Sequence, residues 1–518
     1  MSLARHVATV GGGTLLSRLL AYARDAGIAA LLGAGGFSEA FFAVVQLVNF
    51  FRRLLAEGAL NGAFVPIWLR LRAGEDGAAN ADRFSRRALI AMLCLTGIAA
   101  LLAVVLARFV IAAVAPGFDD GRREVASLFL LIVAPYIVLA GLVAVLAAAL
   151  NAENRVAAAA GSVVAFNLVM VMAVFLAFAA GLDQFGTGLW LCAAIVAAGL
   201  VQLIITAVAW LATGKRWQRA RHRVPDRTAT LFMRALPGLF AAGIPQLKLI
   251  AATAIVSASP AAVAWLYYAN RLYELPLGVA SAAIATVMVP RIAESRRSGG
   301  DGDYAAALSR ACEIALGLAL PAATGFALLA GLIAGGLFQH GAFTAQDTAA
   351  VAAALIAICA GLPGHVLEKW LGAASFAHED THTPMWTALA GLLAAIVFGL
   401  LLFPRFGYVG VAAAIAMSGW VGALLLGVLL TRRGWLKLDS GAARRLPRIL
   451  AATLIMGAVI AVVGAIAQVL LPNLAGSGSG QLALLAAMVA LGLAVYAAAL
   501  AYLGVIRVVD LIAALRAG

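Results

Sequence analysis

Charge is scarce in this chain, and acidic charge is the scarcest. Only 12% of the 518 residues are charged, with 23 Asp and Glu against 37 Lys and Arg. So little charge cannot cover an ordinary soluble surface. Cysteine is nearly absent too. Cys94, Cys192, Cys312 and Cys359 stand singly in apolar segments, with neither metal-ligand nor disulfide spacing, and read as small buried hydrophobes. Familiar catalytic motifs are missing. Gly214-Lys215 lacks the upstream glycine and the following Ser or Thr of a phosphate-binding loop, so ATP is not expected as the direct driver. There is no Gly-x-Ser-x-Gly and no His-Glu-x-x-His. The expectation is a protein that is not an enzyme and needs no cofactor. The N-terminal stretch does not have the form of a signal peptide, because Arg18 and Arg24 interrupt its apolar run.

What the chain has in abundance is apolar sequence: 64% of residues are hydrophobic, and the mean hydropathy is +1.02. That composition describes an all-α polytopic membrane protein. Fourteen spans are expected, at approximately 6–33, 37–68, 86–114, 126–150, 156–181, 186–213, 229–258, 261–290, 305–338, 346–374, 382–403, 407–431, 447–471 and 481–505. The basic residues in the connections alternate with this count. One side carries Arg70, Arg72, Arg83, Arg86, Arg87, Arg155, the Lys215–Arg227 and Arg291–Arg297 clusters, and the Arg432–Arg448 cluster. The other side carries Arg122, Arg123 and Arg405. The positive-inside rule then makes both termini cytoplasmic. The net charge of +14 is therefore a topological signal facing anionic membrane lipid. No basic patch is interleaved with aromatics, and no nucleic acid is expected as a partner. Two six-helix lobes, 1–213 and 214–431, followed by a helix pair at 432–518, fit a transporter architecture.

The stretch from Thr14 to Pro66 organises the rest. Its two apolar segments, joined by a break at Gly33–Gly36, are long enough to cross a bilayer, yet both carry charge. The first holds Arg18, Arg24 and Asp25; the second holds Glu39, Arg52, Arg53 and Glu57. An Arg or Asp at mid-bilayer costs about 2.5–3.5 kcal/mol on insertion scales and persists only beside a wet cavity, a partner or a ligand. At 100° per residue, Glu39, Gln46, Asn49, Arg53, Glu57 and Asn61 share an arc of about 120°. Arg52 lies at its edge. Ion pairing such as Arg53 with Glu57, four apart, accounts for part of the pattern. Arg18, Arg24 and Arg52, however, outnumber the nearby acids.

Three further places with charge inside spans stand out. Span 7 is interrupted by Pro237 and Pro245, with Lys248 just beyond, which is either a lone charge in a wet pocket or a substrate contact. Span 8 reads WLYYANRLYELPLGVA. Asn270, Arg271 and Glu274 share one face, and the three-residue spacing of Arg271 and Glu274 also suits an ion pair. Lys369 stands near the end of span 10, where it can extend to the interface. His378 and His382 frame Glu379 and Asp380, but the segment reads as a loop before Pro384 rather than a metal site. The Gly476–Gly480 stretch reads as a flexible outer loop.

These residues resemble the MurJ/MviN family, the lipid II flippases of the multidrug/oligosaccharidyl-lipid/polysaccharide exporter superfamily. The resemblance spans the chain and is strongest at Ser17–Asp25, Asn49–Ile67, Ala115–Phe118 and Trp265–Val279. It implies fourteen helices, two lobes around a central cavity, alternating access, and residence in the bacterial inner membrane. It also implies a substrate, lipid II, in which undecaprenyl pyrophosphate carries the peptidoglycan disaccharide-peptide. The family's cavity residues map onto Arg18, Arg24, Arg52, Glu57, Arg271 and Glu274. Glu39 stands where Asp is familiar, and Asn270 stands where Asp is common. The arginines, with Arg53, fit a pyrophosphate physically, since guanidinium stays protonated and offers paired donors, and Glu274 is expected beside Arg271 in the substrate-binding set. Asp25, Glu39, Asn49, Glu57, Asn270, Lys248 and Lys369 are expected to line the cavity or to govern its conformation. The alternatives are an exporter of another polyprenyl-linked oligosaccharide, a drug or cation exporter of the same superfamily, and a membrane-embedded polymerase acting on the same lipid. Short outer connections count against the polymerase.

Overall fold

The computed structural model describes residues 3–56, 59–74, 76–213, 228–297, 301–470 and 478–505. Every regular element among them is helical. This is an all-α membrane protein. The chain divides into two compact units: residues 1–264 with 341–343, and residues 265–340 with 344–518.

The first unit holds α1 (Leu3–Leu32), α2 (Gly36–Ala56), α3 (Ala59–Arg72), α4 (Gly77–Val105), α5 (Ala107–Val114), α6 (Asp120–Val133), α7 (Pro135–Ala152), α8 (Val156–Ala179), α9 (Gln184–Leu211) and α10 (Thr228–Val256). Two of its helix starts follow from local chemistry. Asp119 and Asp183 each place a carboxylate on the backbone N–H three residues on, capping α6 and α9. Pro135 stands in the first turn of α7, where its missing N–H costs nothing. The core is made of alanine-spaced large residues: Phe64, Ile67 and Trp68 of α3 meet Phe84, Ala88 and Met92 of α4, Ala144, Val145, Ala148 and Ala149 of α7, and Leu231 of α10. Phe64 and Phe84 lie 5.0 Å apart, ring centre to ring centre. Small residues let helices approach closely where the bilayer supplies no hydrophobic drive between them.

The second unit carries most of α11 (Ala262–Ala283), a π-helical turn at Ile284–Met288, α12 (Val289–Arg297), α13 (Asp301–Leu328), α14 (Ala330–Phe338), α15 (Ala345–Cys359), α16 (Leu362–Ala377), α17 (His382–Arg432), α18 (Ser440–Leu470) and α19 (Gly478–Tyr502). Thr344 opens α15 with a reciprocal capping box to Asp347. The 51 residues of α17 are two helices in sequence terms. Gly407 adopts φ 55°, ψ −141°, a conformation that suits glycine, just after Pro404. A Cβ on Gly410 would lie 2.8 Å from the carbonyl oxygen of Leu402, so the chain doubles back there. The reversal falls at the boundary the sequence predicts between the spans 382–403 and 407–431.

Nine helices among the described residues are long and apolar enough to cross a membrane. Helices α1, α2, α10 and α11, which carry the charged centres, are not in that set. Several expected spans are also broken. The span at 86–114 is interrupted at Leu106, and the one at 305–338 at Leu329. The span at 261–290 takes its π-helical turn near its end.

Candidate functional site

The charged faces of α1 and α2 are built inside the first unit. Arg24 lies beside Asp25, donating from Nε at 2.9 Å and from Nη2 at 2.7 Å to the same Oδ1. Its Nη1 crosses to Asn167 Oδ1 of α8 at 3.0 Å. Asn167 returns its amide to the Ser17 hydroxyl at 2.9 Å. Asp25 is 2% exposed, so the pair is a neutralised, oriented group rather than a free charge. Arg18, nearly two turns earlier, is half-buried and makes no ion pair among the described residues. Arg52 on α2 is also half-buried. Its Nε reaches Asn49 Oδ1 at 3.4 Å, and no carboxylate pairs with it among the described residues.

The polar stripe of α2 meets α10. The Thr253 hydroxyl donates to Gln46 Oε1 at 2.7 Å, and Gln246 Nε2 to the Gln46 carbonyl at 3.3 Å. Lys248, on the same helix as Thr253, is 7% exposed. Arg53 and Asn49 are half-buried on the stripe. Glu57 lies outside the described residues. At the head of the stripe, Glu39 is 1% exposed and bonds Arg122 Nη1 of α6 at 2.9 Å.

The second unit carries its own polar centre on α11. Arg271 Nη1 meets Glu274 Oε2 at 3.1 Å, and Asn270 Nδ2 reaches Glu274 Oε1 at 3.4 Å. The Asn270 amide thus shares the Glu274 carboxylate with the guanidinium. Nearby, the Tyr273 hydroxyl lies 2.8 Å from His365 Nδ1 of α16, and Trp265 Nε1 donates to Asp347 Oδ1 at 2.8 Å. Lys369 is exposed on α16. His378 stacks on Trp435 at 4.2 Å, ring centre to ring centre. Asp380 accepts from Thr383 and from Arg433. Among the described residues no group of three or more His, Cys, Asp or Glu is placed to hold a metal.

Four of these participants escaped the sequence reading. Asn167 had a signal, as a lone amide in the apolar run VAFNLVM. Arg122 reads in the sequence only as a basic residue of a connection. His365 and Asp347 pair with residues 92 and 82 positions away, a distance no local spacing reports.

The family description "Lipid II flippase MurJ" matches residues 28–475. A Rhizobium meliloti (strain 1021) protein named "Probable lipid II flippase MurJ" is 38% identical over 468 residues, covering 89% of this chain and 86% of that one. A Burkholderia cenocepacia protein named "Lipid II flippase MurJ" is 30% identical over 476 residues, covering 89% and 90%. Among solved structures, one titled "Lipid II flippase MurJ, inward closed conformation" superposes with a TM-score of 0.78 at 21% identity, over 95% of this chain and 98% of that one. An inward-facing multidrug resistance MATE family transporter of the MOP superfamily gives a TM-score of 0.67 at 14% identity, over 81% and 94%. Those two likenesses describe the fold.

Proposed function

We propose, from the premise that this chain belongs to the lipid II flippase MurJ family, that it carries lipid II from the cytoplasmic to the periplasmic leaflet by alternating access. The observation that carries the reading beyond family membership is the pair Arg18 and Arg52. Both are half-buried on helices α1 and α2, and neither has a carboxylate partner among the described residues. A cation kept inside an apolar bundle without a counter-ion invites an anion. The pyrophosphate of lipid II is such an anion, and guanidinium offers it paired, charge-assisted donors. Arg24 is held by Asp25 and Asn167, so it presents an oriented donor group rather than a free charge. The disaccharide-peptide needs a wet path, and the polar stripe of α2 supplies hydrogen-bonding groups along it. The chain is a transporter of the bacterial inner membrane, with residues 70–87 and 432–448 on the cytoplasmic side and 115–125 on the periplasmic side.

The test is translocation of labelled lipid II in vesicles holding the purified protein, with and without an imposed membrane potential. Transfer well above protein-free vesicles is expected, and it should fall about tenfold to a hundredfold in Arg18→Ala and in Arg52→Ala. Transfer no faster than through empty vesicles, from protein that is folded and inserted, would remove the reading.

A further inference from the structure

Glu39 lies wholly inside the first unit, and both its carboxylate oxygens are engaged. Oε1 accepts the backbone N–H of Val263 at 3.2 Å, and Oε2 accepts Arg122 Nη1 at 2.9 Å. Arg122 is its one cationic partner among the described residues. Arg122 is itself shared among several groups. Its Nε donates to Asp119 Oδ2 at 2.8 Å, its Nη1 also reaches the Ser257 carbonyl at 3.4 Å, and its guanidinium lies 4.9 Å over the Phe118 ring. The segment 257–263 is gripped a third time by the Gly117 N–H, which donates to the Ser257 hydroxyl at 2.8 Å. The approach is so close that a Cβ on Gly117 would lie 2.3 Å from the Ala258 nitrogen.

We infer that Arg122 is a positioning residue for transport, which holds the Glu39 carboxylate on the Val263 N–H and so latches residues 257–263 onto the head of α6. The physical reason is the burial of Glu39. A buried carboxylate stripped of its cation must admit water or take up a proton. Either response weakens its hold on the Val263 N–H. Residues 262–263 open α11, whose later turns carry Asn270, Arg271 and Glu274. A change at Glu39 therefore acts on the first turn of α11. Local opening of such a segment is the kind of step that gates a transport cycle. The consequence for transport rests on the flippase reading, whereas the latch does not.

Ala262 is fully buried and makes a sensitive probe as Ala262→Cys. The protein is purified into lipid nanodiscs, where both faces meet solvent, with the four native cysteines replaced by alanine. A water-soluble maleimide should label Ala262→Cys slowly. Adding Arg122→Ala should raise the labelling rate about tenfold to a hundredfold, the factor carried by a lost charge-assisted hydrogen bond. Arg122→Lys, which keeps the charge but not the fork, should raise it less. Glu39→Gln/Arg122→Ala should label no faster than the faster single variant, because Arg122 works through Glu39. An unchanged rate in Arg122→Ala, or rates that multiply in the double variant, overturns the latch. If Arg122→Ala does not insert stably, Arg122→Lys and Ser257→Ala decide: a rate unchanged in both overturns it as well. In lipid II vesicles at matched abundance, Arg122→Ala should translocate at least about tenfold more slowly and Arg122→Lys should recover part of the rate. Faster labelling with full translocation would overturn the positioning role. Absence of translocation in the unsubstituted protein would instead count against the flippase reading and leave the labelling result standing.

Discussion

Arg24 of α1 and Asn167 of α8 are joined side chain to side chain, 143 residues apart in the chain, with Nη1 3.0 Å from Oδ1. Asn167 is oriented in turn by the Ser17 hydroxyl, so this amide and Asp25 together set which way a charged guanidinium points. The pairing is cross-helical, and it ranks Arg24 apart from Arg18 and Arg52.

Asn167→Leu should therefore disturb Arg24 without removing it. The two remaining bonds to Asp25 would pull the guanidinium toward α1. A hydrogen bond to a charged group is worth about 1.5–3 kcal/mol, so lipid II transfer should drop by roughly tenfold or more. Asn167→Gln, with a longer amide, should recover part of it. Vesicle transfer rates at matched abundance are the measurement, and equal rates for Asn167→Leu and the unsubstituted protein would mean that Arg24 needs no such support.

Arg271 and Glu274 pose the choice between substrate contact and scaffold. If the 3.1 Å pair serves only to neutralise Glu274, then Arg271→Ala/Glu274→Gln should regain the transport lost in Arg271→Ala. A phosphate contact at Arg271 gives no recovery, because the missing charge is the one that meets phosphate. Complementation by both variants, at equal membrane abundance, separates the two.

Asn270 shares the Glu274 carboxylate with Arg271. Asn270→Asp adds a second carboxylate beside a single guanidinium within one turn. The new charge gains Arg271 as a partner but stands close to Glu274, and the two effects oppose each other. Near-normal transport is expected, since the guanidinium remains to offset the addition. A stably inserted but inactive Asn270→Asp would show that a neutral residue is required there.

Asp380 lies outside the spans, where pH can act on it directly. Burial pushes its carboxyl up, but two hydrogen bonds from Thr383 and the Arg433 guanidinium outweigh that and hold it at about 2, below the ordinary 3.8. A depressed carboxyl stabilises the fold above its unfolded value and ceases to do so as pH falls through its folded one. Asp380→Asn should thus melt at a lower temperature than the unsubstituted protein near neutral pH. The gap should close as pH falls from about 4 to about 2. Thermal melts of detergent-purified protein across that range check it, and a gap constant with pH would mean that the Asp380 charge contributes nothing.

Gly341 and Gly33 tie the tripeptide 341–343 to the end of α1. Ala342 donates its N–H to the Ala30 carbonyl at 2.8 Å. Gly341 has φ 58° and Gly33 φ 60°, and a Cβ on either would fall 2.3 Å or 2.6 Å from a backbone oxygen of the other segment. Gly341→Ala should lower the melting temperature by several degrees, through left-handed strain of about 1–2 kcal/mol and the lost contact. An exposed control such as Gly62→Ala, with nothing within 4 Å of its added Cβ, should not.

The periodicity of α2 was readable because a helix repeats every 3.6 residues. Glu39, Gln46, Asn49 and Arg53 had to share a face wherever that helix went. The Arg271–Glu274 pair was readable for the same reason, since three residues of helix bring two side chains together whatever surrounds them. The reversal at Gly407 announced itself through Pro404 and a glycine. The break at Leu106 did not, because neither proline nor glycine marks it.

The sequence by itself determined what depends on neighbours along the chain: an all-helical membrane protein, the charged stretches of α1, α2 and α11, and the residues sharing each helical face. Tertiary structure alone decided which of those charges are already satisfied. Arg24 is committed to Asp25 and Asn167, and Glu39 to Arg122, 83 residues away. Arg18 and Arg52 keep no carboxylate among the described residues. The reason is that a buried charge is settled by whatever lies within about 4 Å of it. Between helices, that neighbour is chosen by packing, which no spacing along one helix encodes.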